Sequence, residues 1–279
     1  MINNVMKYWK TLEKKEYPYF INQVHEIDFL DFKNRFDNLS SINEMQKQFF
    51  QGEIYLIRNA VNTNFIENLK NEMVNLSRLE KSSFHKMVEG CPDFNRFITN
   101  SNSKLYAVDS FRHVFYFFRW NNNKYRIFEN LDGVWDLTKI LNGYERNAFK
   151  KNTPKDGIID RIQVTRYPHK SGYIEPHQHH PGNIRLILNI YLSKKGDDFS
   201  SGGIKFYKEN EKIELEKTYD INIGDAVIFF STMKHSVDEV IVESTNNYFN
   251  DKSKQGRWWI GLYSPESDMV NNRKTSRPT

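Results

Sequence analysis

PHKSGYIEPHQHHPGNIRLILNIYL, residues 168–192, is the stretch on which the reading of this chain turns. Its second part alternates with a period of two. Ile184, Leu186, Leu188, Ile190 and Leu192 fall on one side of an extended strand, and Asn183, Arg185, Ile187, Asn189 and Tyr191 on the other. The aliphatic side suits packing against helices. The side with an Arg, two Asn and a Tyr suits either solvent or the wet interior of a barrel that holds a ligand. Short apolar runs recur around this segment: RIQVTRY (161–167), GGIKFY (202–207), EKIELE (211–216), YDINIGD (219–225), AVIFF (226–230) and RWWIGLY (257–263). Many short strands separated by Gly and Asp turns predict an antiparallel sandwich or jelly roll.

The first part of the stretch carries His169, His177, His179 and His180. In a strand, His177 and His179 project to the same side, about 6.6 Å apart, so both can reach one metal ion. A third ligand must come from another strand, and His235 lies just past the apolar run Ala226–Phe230. Three such ligands on one face of a barrel leave the far side of the metal open, as oxygen chemistry at Fe(II) requires. His180 and Glu175 are alternatives for the second ligand should the strand register slip. His169 is expected at the surface, and His25, His85 and His113 carry no spacing signal.

Upstream, the chain is mixed and helix-rich. Glu53–Ala60 reads as a strand, and Asn62 or Thr63 as the cap of a helix running to about Leu79, with Phe65, Leu69, Met73 and Leu76 at helical spacing. Residues 109–120 read as a strand and 126–142 as a helix. The expected organisation is one α+β domain over residues 1–279: a helix-rich part, 1–155, flanking a jelly-roll core, 156–265, with a loose tail, 266–279.

Composition narrows the function classes. The chain has 279 residues, a formal net charge of +5, 38% hydrophobic and 15% aromatic residues, enough for a sizeable core. One cysteine, Cys91, excludes a disulfide framework and cysteine-based zinc or iron–sulfur sites. No apolar run reaches membrane-spanning length and no secretory signal opens the chain, so a cytoplasmic protein is expected. Basic clusters are short and scattered, and no nucleic-acid-binding motif is present. There is no phosphate-binding glycine loop, no serine nucleophile elbow, and no His close in sequence to activate Cys91.

The order of motifs over residues 160–263 resembles the Fe(II)/2-oxoglutarate-dependent oxygenases, in particular the prolyl-hydroxylase-like branch. A strand ending at Tyr167 leads through Gly172-Tyr173 to His177-Gln178-His179. An aliphatic strand (186–193) and Ser201-Gly202-Gly203 follow, then Gly224-Asp225, the apolar strand and His235-Ser236-Val237, and last Arg257. The resemblance implies a double-stranded β-helix, a cupin-like jelly-roll barrel. It implies Fe(II) on His177, His179 and His235, with 2-oxoglutarate gripped at its far carboxylate by Arg257 and aided by Tyr191 or Asn189. It further implies O2-dependent hydroxylation of an unactivated C–H bond in a small molecule, releasing succinate and CO2. Gln163, Thr165, Tyr167, Arg185 and Trp259 are the pocket candidates. Arg185 could grip an anionic substrate or satisfy a carboxylate at the rim.

The chain departs from that pattern in three places. His179 stands where the family has a carboxylate, leaving the iron site one charge more positive and filling the position that chloride takes in related halogenases. Twenty-two residues separate His235 from Arg257 where about ten are usual, so 243–256 reads as an insertion. Trp259 replaces the Ser of the common Arg-x-Ser. Two other readings share the barrel: a three-His iron dioxygenase that binds its organic substrate directly, and a non-catalytic binding module.

Overall fold

The computed structural model describes residues 1–103, 108–243 and 254–271; the expected insertion, 243–256, and the end of the tail fall largely outside them. The strands are β1 Val24–Asp28, β2 Ile54–Arg58, β3 Phe94–Ile98, β4 Ser110–Phe118, β5 Arg161–Tyr167, β6 Tyr173–His177, β7 Leu186–Tyr191, β8 Ile204–Tyr207, β9 Lys212–Glu214, β10 Ala226–Phe230, β11 His235–Val237 and β12 Arg257–Tyr263. The helices are α1 Ile2–Leu12, α2 Phe29–Asn34, α3 Leu39–Phe50, α4 Thr63–Leu79, α5 Asn100–Ser103, α6 Ile127–Leu141 and α7 Leu215–Thr218.

From β5 onward the chain winds between two sheets. One has the order β10-β7-β12-β5 and the other β6-β11-β8-β9, all antiparallel. This is a double-stranded β-helix. The N-terminal part extends the first sheet at both edges, with β2 and then the parallel β1 beside β10, and β4 and β3 beside β5. β4 also pairs with β6, so it joins the two sheets at one seam.

Helices close the outer face of the first sheet because its residues there are aliphatic. Leu188, Ile190 and Ile228 are fully buried, and Leu186 shares a cleft with Trp135 and Thr138 of α6. Burying each such side chain is worth roughly 1.5–3 kcal/mol. Asn62 caps α4, its side chain accepting from the Phe65 N–H at 3.2 Å. Among the described residues no helix is long and apolar enough to cross a membrane.

Several expectations are corrected. The strand expected from Asn183 starts at Leu186, because the Asn142 side chain at the end of α6 accepts the N–H groups of both Arg185 and Leu186, at 2.9 and 3.0 Å. YDINIGD forms no strand: the Asp225 carboxylate holds it as a turn, accepting from the Asn222 and Asn59 N–H groups and pairing with Arg58. EKIELE is strand only to Glu214 and then turns into α7. Residues 266–268 of the expected loose tail are anchored: Glu266 bridges to Ile158, the Ser267 hydroxyl, fully buried, donates to the Pro154 carbonyl at 2.6 Å, and the Asp268 N–H donates to the Met87 carbonyl. His169 is buried, its Nδ1 accepting from the Val242 N–H at 2.8 Å.

His113 of β4 is buried against Phe97, with its Nε2 2.9 Å from the Asn95 side chain, and burial holds its pKa down to about 3. Unfolding releases it to the ordinary 6.5, so between those values the unfolded chain binds one more proton. Its contribution is therefore lost as pH falls through that window, at ~1.4 kcal/mol per pH unit. Chemical denaturation of His113→Gln between pH 6.5 and 4 is expected to show a shallower fall in stability, by about that slope, than the unaltered protein.

Candidate metal centre

His177 is the last residue of β6, and β11 pairs there so that His235 stands directly opposite it. His179 is not in a strand, contrary to the expected regular H-x-H strand. The chain leaves β6 after His177, and the His179 N–H donates to the Ser231 carbonyl at 2.9 Å in the turn after β10. That bond folds the third imidazole back over the other two. The ring centroids lie 4.2 Å apart for His177 and His235, 5.0 Å for His177 and His179, and 5.3 Å for His179 and His235. One nitrogen from each ring lies within 4.8 Å of the others. Small ring rotations bring atoms that close onto one ion at the ~2.1 Å of a metal–imidazole bond.

The donor set fits a divalent metal. His177 Nδ1 is 2.8 Å from the Glu175 carbonyl, and His235 Nδ1 is 2.9 Å from the Met233 carbonyl. A carbonyl only accepts, so both Nδ1 atoms carry the proton and both Nε2 atoms present a bare lone pair. Burial, with the neighbouring imidazoles and Arg112 adding to it, keeps His177 far below its ordinary value and His179 at about 3. Burial alone takes His235 to about 4. All three are therefore neutral at neutral pH, as metal ligation requires. Glu175 and His180 are exposed and stand outside this group, His180 accepting from the Gly182 N–H instead.

The inner face of the first sheet follows from its register. Arg257 pairs with Tyr167; Trp259 with Thr165 and Tyr191; Gly261 with Gln163 and Asn189. Cross-strand partners project to the same face, so Gln163, Thr165, Tyr167, Asn189, Tyr191, Arg257 and Trp259 share the side turned away from the helices. Gln163 donates to the Thr165 hydroxyl at 3.2 Å. Arg185 lies before β7 and is held by Glu13 at 2.6 Å and by the Asn142 carbonyl, so its guanidinium serves a carboxylate at the rim.

Two functional candidates escape the sequence. Val114 pairs with Thr165, so Arg112, two residues earlier, lies on the inner face, where its charge acts on His177 and His179. Nothing in its spacing marks it. Glu216 reads as part of a strand. It is instead buried in α7, where it pairs with Arg257 at 2.6 Å. Among the described residues, Arg112 Nε, Ser110 Oγ, Asn189 Oδ1 and Trp259 Nε1 are buried without a hydrogen-bond partner, all on this inner face. Each such atom costs roughly 1–3 kcal/mol, so their convergence marks a surface shaped for a polar ligand. Cys91, by contrast, is buried away from the group, burial raising its thiol to about 11.

No protein-family model matches the sequence, and no curated protein matches it. Solved structures do match in fold. A full-length Neurospora crassa protein in complex with alpha-KG and thymine aligns at 12% identity over 90% of this chain and 87% of that one, with a TM-score of 0.52. The C-terminally truncated apo form of the same Neurospora protein aligns at 11% identity over 86% and 94%, also at 0.52. A prolyl-4-hydroxylase of Pseudomonas putida aligns at 10% identity over 76% and 91%, at 0.46. At these identities the likeness establishes the architecture: the chain has the fold of the 2-oxoglutarate-dependent Fe(II) oxygenases.

Because the imidazoles are already neutral, a metal need not expel protons to bind. Anaerobic Co(II) titrations are expected to give an affinity that is flat from pH 8 to about 5 and falls only as His235 and then His179 begin to protonate, near 4 and 3. Ordinary exposed histidines would lose affinity already below about 6.5. His235→Ala is expected to abolish stoichiometric binding while leaving the far-ultraviolet circular dichroism unchanged.

Proposed function

We propose that this protein is a mononuclear Fe(II)- and 2-oxoglutarate-dependent oxygenase that hydroxylates an unactivated C–H bond of a small molecule. The observation that carries this reading is the trio of neutral imidazoles, two of them with Nε2 freed by backbone carbonyls, at the mouth of a double-stranded β-helix. His177, His179 and His235 would hold the iron, whose bound state supplies the oxygen activation that no side chain here can provide.

The chain's own groups do the rest. The two fixed Nδ1–H bonds aim the imidazoles and leave Nε2 bare, while burial keeps the rings from protonating. Tyr167 and Tyr191 flank Arg257, whose Cζ lies 5.9 and 5.6 Å from their ring centroids, and this polar end would receive the far end of the 2-oxo acid. Phe206 and Phe229, packed 5.9 and 5.0 Å from the His235 ring, exclude water beside the metal. Among the described residues no carboxylate pairs with Arg112. Its place beside the histidines suits an oxyanion on the substrate, one of the two roles that the sequence alone leaves open for Arg185.

Anaerobic Fe(II) loading followed by O2 and 2-oxoglutarate is expected to release succinate, and His235→Ala to release none. Metal binding without succinate would favour the direct three-His dioxygenase instead. Once a substrate is found, Arg112→Gln is expected to raise its KM about tenfold or more with a smaller change in kcat, a loss of one charge-assisted contact.

A further inference from the structure

Arg257, 3% exposed, is bound from within the chain. Its Nε and Nη2 donate to one oxygen of Glu216, at 2.8 and 2.6 Å. The other Glu216 oxygen accepts from the Ile204 N–H at 2.8 Å, in the first residue of β8. The carboxylate also lies tight against Gly203, where a β-carbon would come within 2.7 Å of it. Both oxygens are thus engaged, one by the guanidinium and one by sheet backbone. Glu216 is seated as part of the barrel wall.

This changes how charge is spread through the site. With His179 in place of a carboxylate, the metal end carries one more positive charge than a two-His, one-carboxylate centre. With Glu216 on Arg257, the group that would receive the far carboxylate carries one fewer. A 2-oxo acid entering with its 2-oxo carboxylate toward the metal meets stronger attraction there. At the far end it meets an ion pair, in which the attraction of the guanidinium is opposed by a fixed carboxylate close by.

We propose that Glu216 is a specificity determinant for the 2-oxo acid: by neutralising Arg257 it removes the usual advantage of a second carboxylate, so the site accepts 2-oxo monocarboxylates about as well as 2-oxoglutarate. The inference rests on the oxygenase reading above, and it concerns binding, which is measurable without turnover.

The test is calorimetric titration of the whole Zn(II)-loaded chain with 2-oxoglutarate and with 2-oxovalerate, which has the same chain length and a methyl in place of the far carboxylate. The unaltered protein is expected to bind the two within about threefold. Glu216→Gln is expected to shift the ratio toward 2-oxoglutarate by about tenfold or more. Glu216→Gln leaves a buried guanidinium without its counter-charge and could unfold the barrel, so the ratio in the unaltered protein decides alone in that event. A preference for 2-oxoglutarate above about thirtyfold in the unaltered protein, or an unchanged ratio in a folded variant, overturns the role of Glu216 and leaves the oxygenase reading standing. Binding of neither acid by the metal-loaded protein, altered or not, overturns both.

Discussion

The pairing of β11 with two neighbours at once is the constraint on which the site depends. Against β6 it sets His235 opposite His177, and against β8 it sets the same residue opposite Phe206. β11 is only three residues long, His235–Val237, so one step of slippage would turn His235 out of the group, because side chains alternate along a strand. The ladder is held instead by its place between two partners, and the Met233 carbonyl fixes the ring. His179 then needs only one backbone bond, to Ser231, to join them. The candidate metal centre is thus assembled from two strand ends and a turn, and most of its precision comes from backbone hydrogen bonds.

The inner face is polar over much of its extent. The three imidazoles and Arg112 gather in one part of it, and Trp259, Asn189 and the paired Arg257 and Glu216 share the same face. The outer face of the same strands is aliphatic and covered by helices. That division explains why the N-terminal part is needed although it supplies none of the three histidines: without α1, α3 and α6 the aliphatic side of β7 and β10 would face water. Buried ion pairs beneath α6, where Asp160 binds both Lys139 and Arg119 at 2.6 Å, fasten that cover to the barrel.

Much of this is legible in the sequence because it depends on local periodicity and order. β5 and β12 coincide with RIQVTRY and RWWIGLY, α4 begins at its asparagine cap, and the histidines stand out by their spacing. What is not legible depends on contacts between distant segments. Glu216 looks like one more strand residue, yet α7 turns it toward Arg257, forty-one positions away. Arg185 alternates onto the inner face on paper, but Asn142 takes the strand's first N–H groups and Glu13 takes the guanidinium. Arg112 sits in a stretch, 109–120, that reads simply as a strand, and only the β4–β5 register turns it inward. Alternation assigns a side chain to a face; it cannot say which partner is waiting there.

Two glycines press on the backbone at Tyr167. Gly172 approaches it from the loop before β6, and Gly256, with φ +117°, from the residue before Arg257; a β-carbon at either would collide with the Tyr167 main chain. Arg257 therefore takes its bearing from β5, whatever length of chain precedes it. A barrel clamped this way can acquire or lose sequence ahead of β12 without rebuilding its interior.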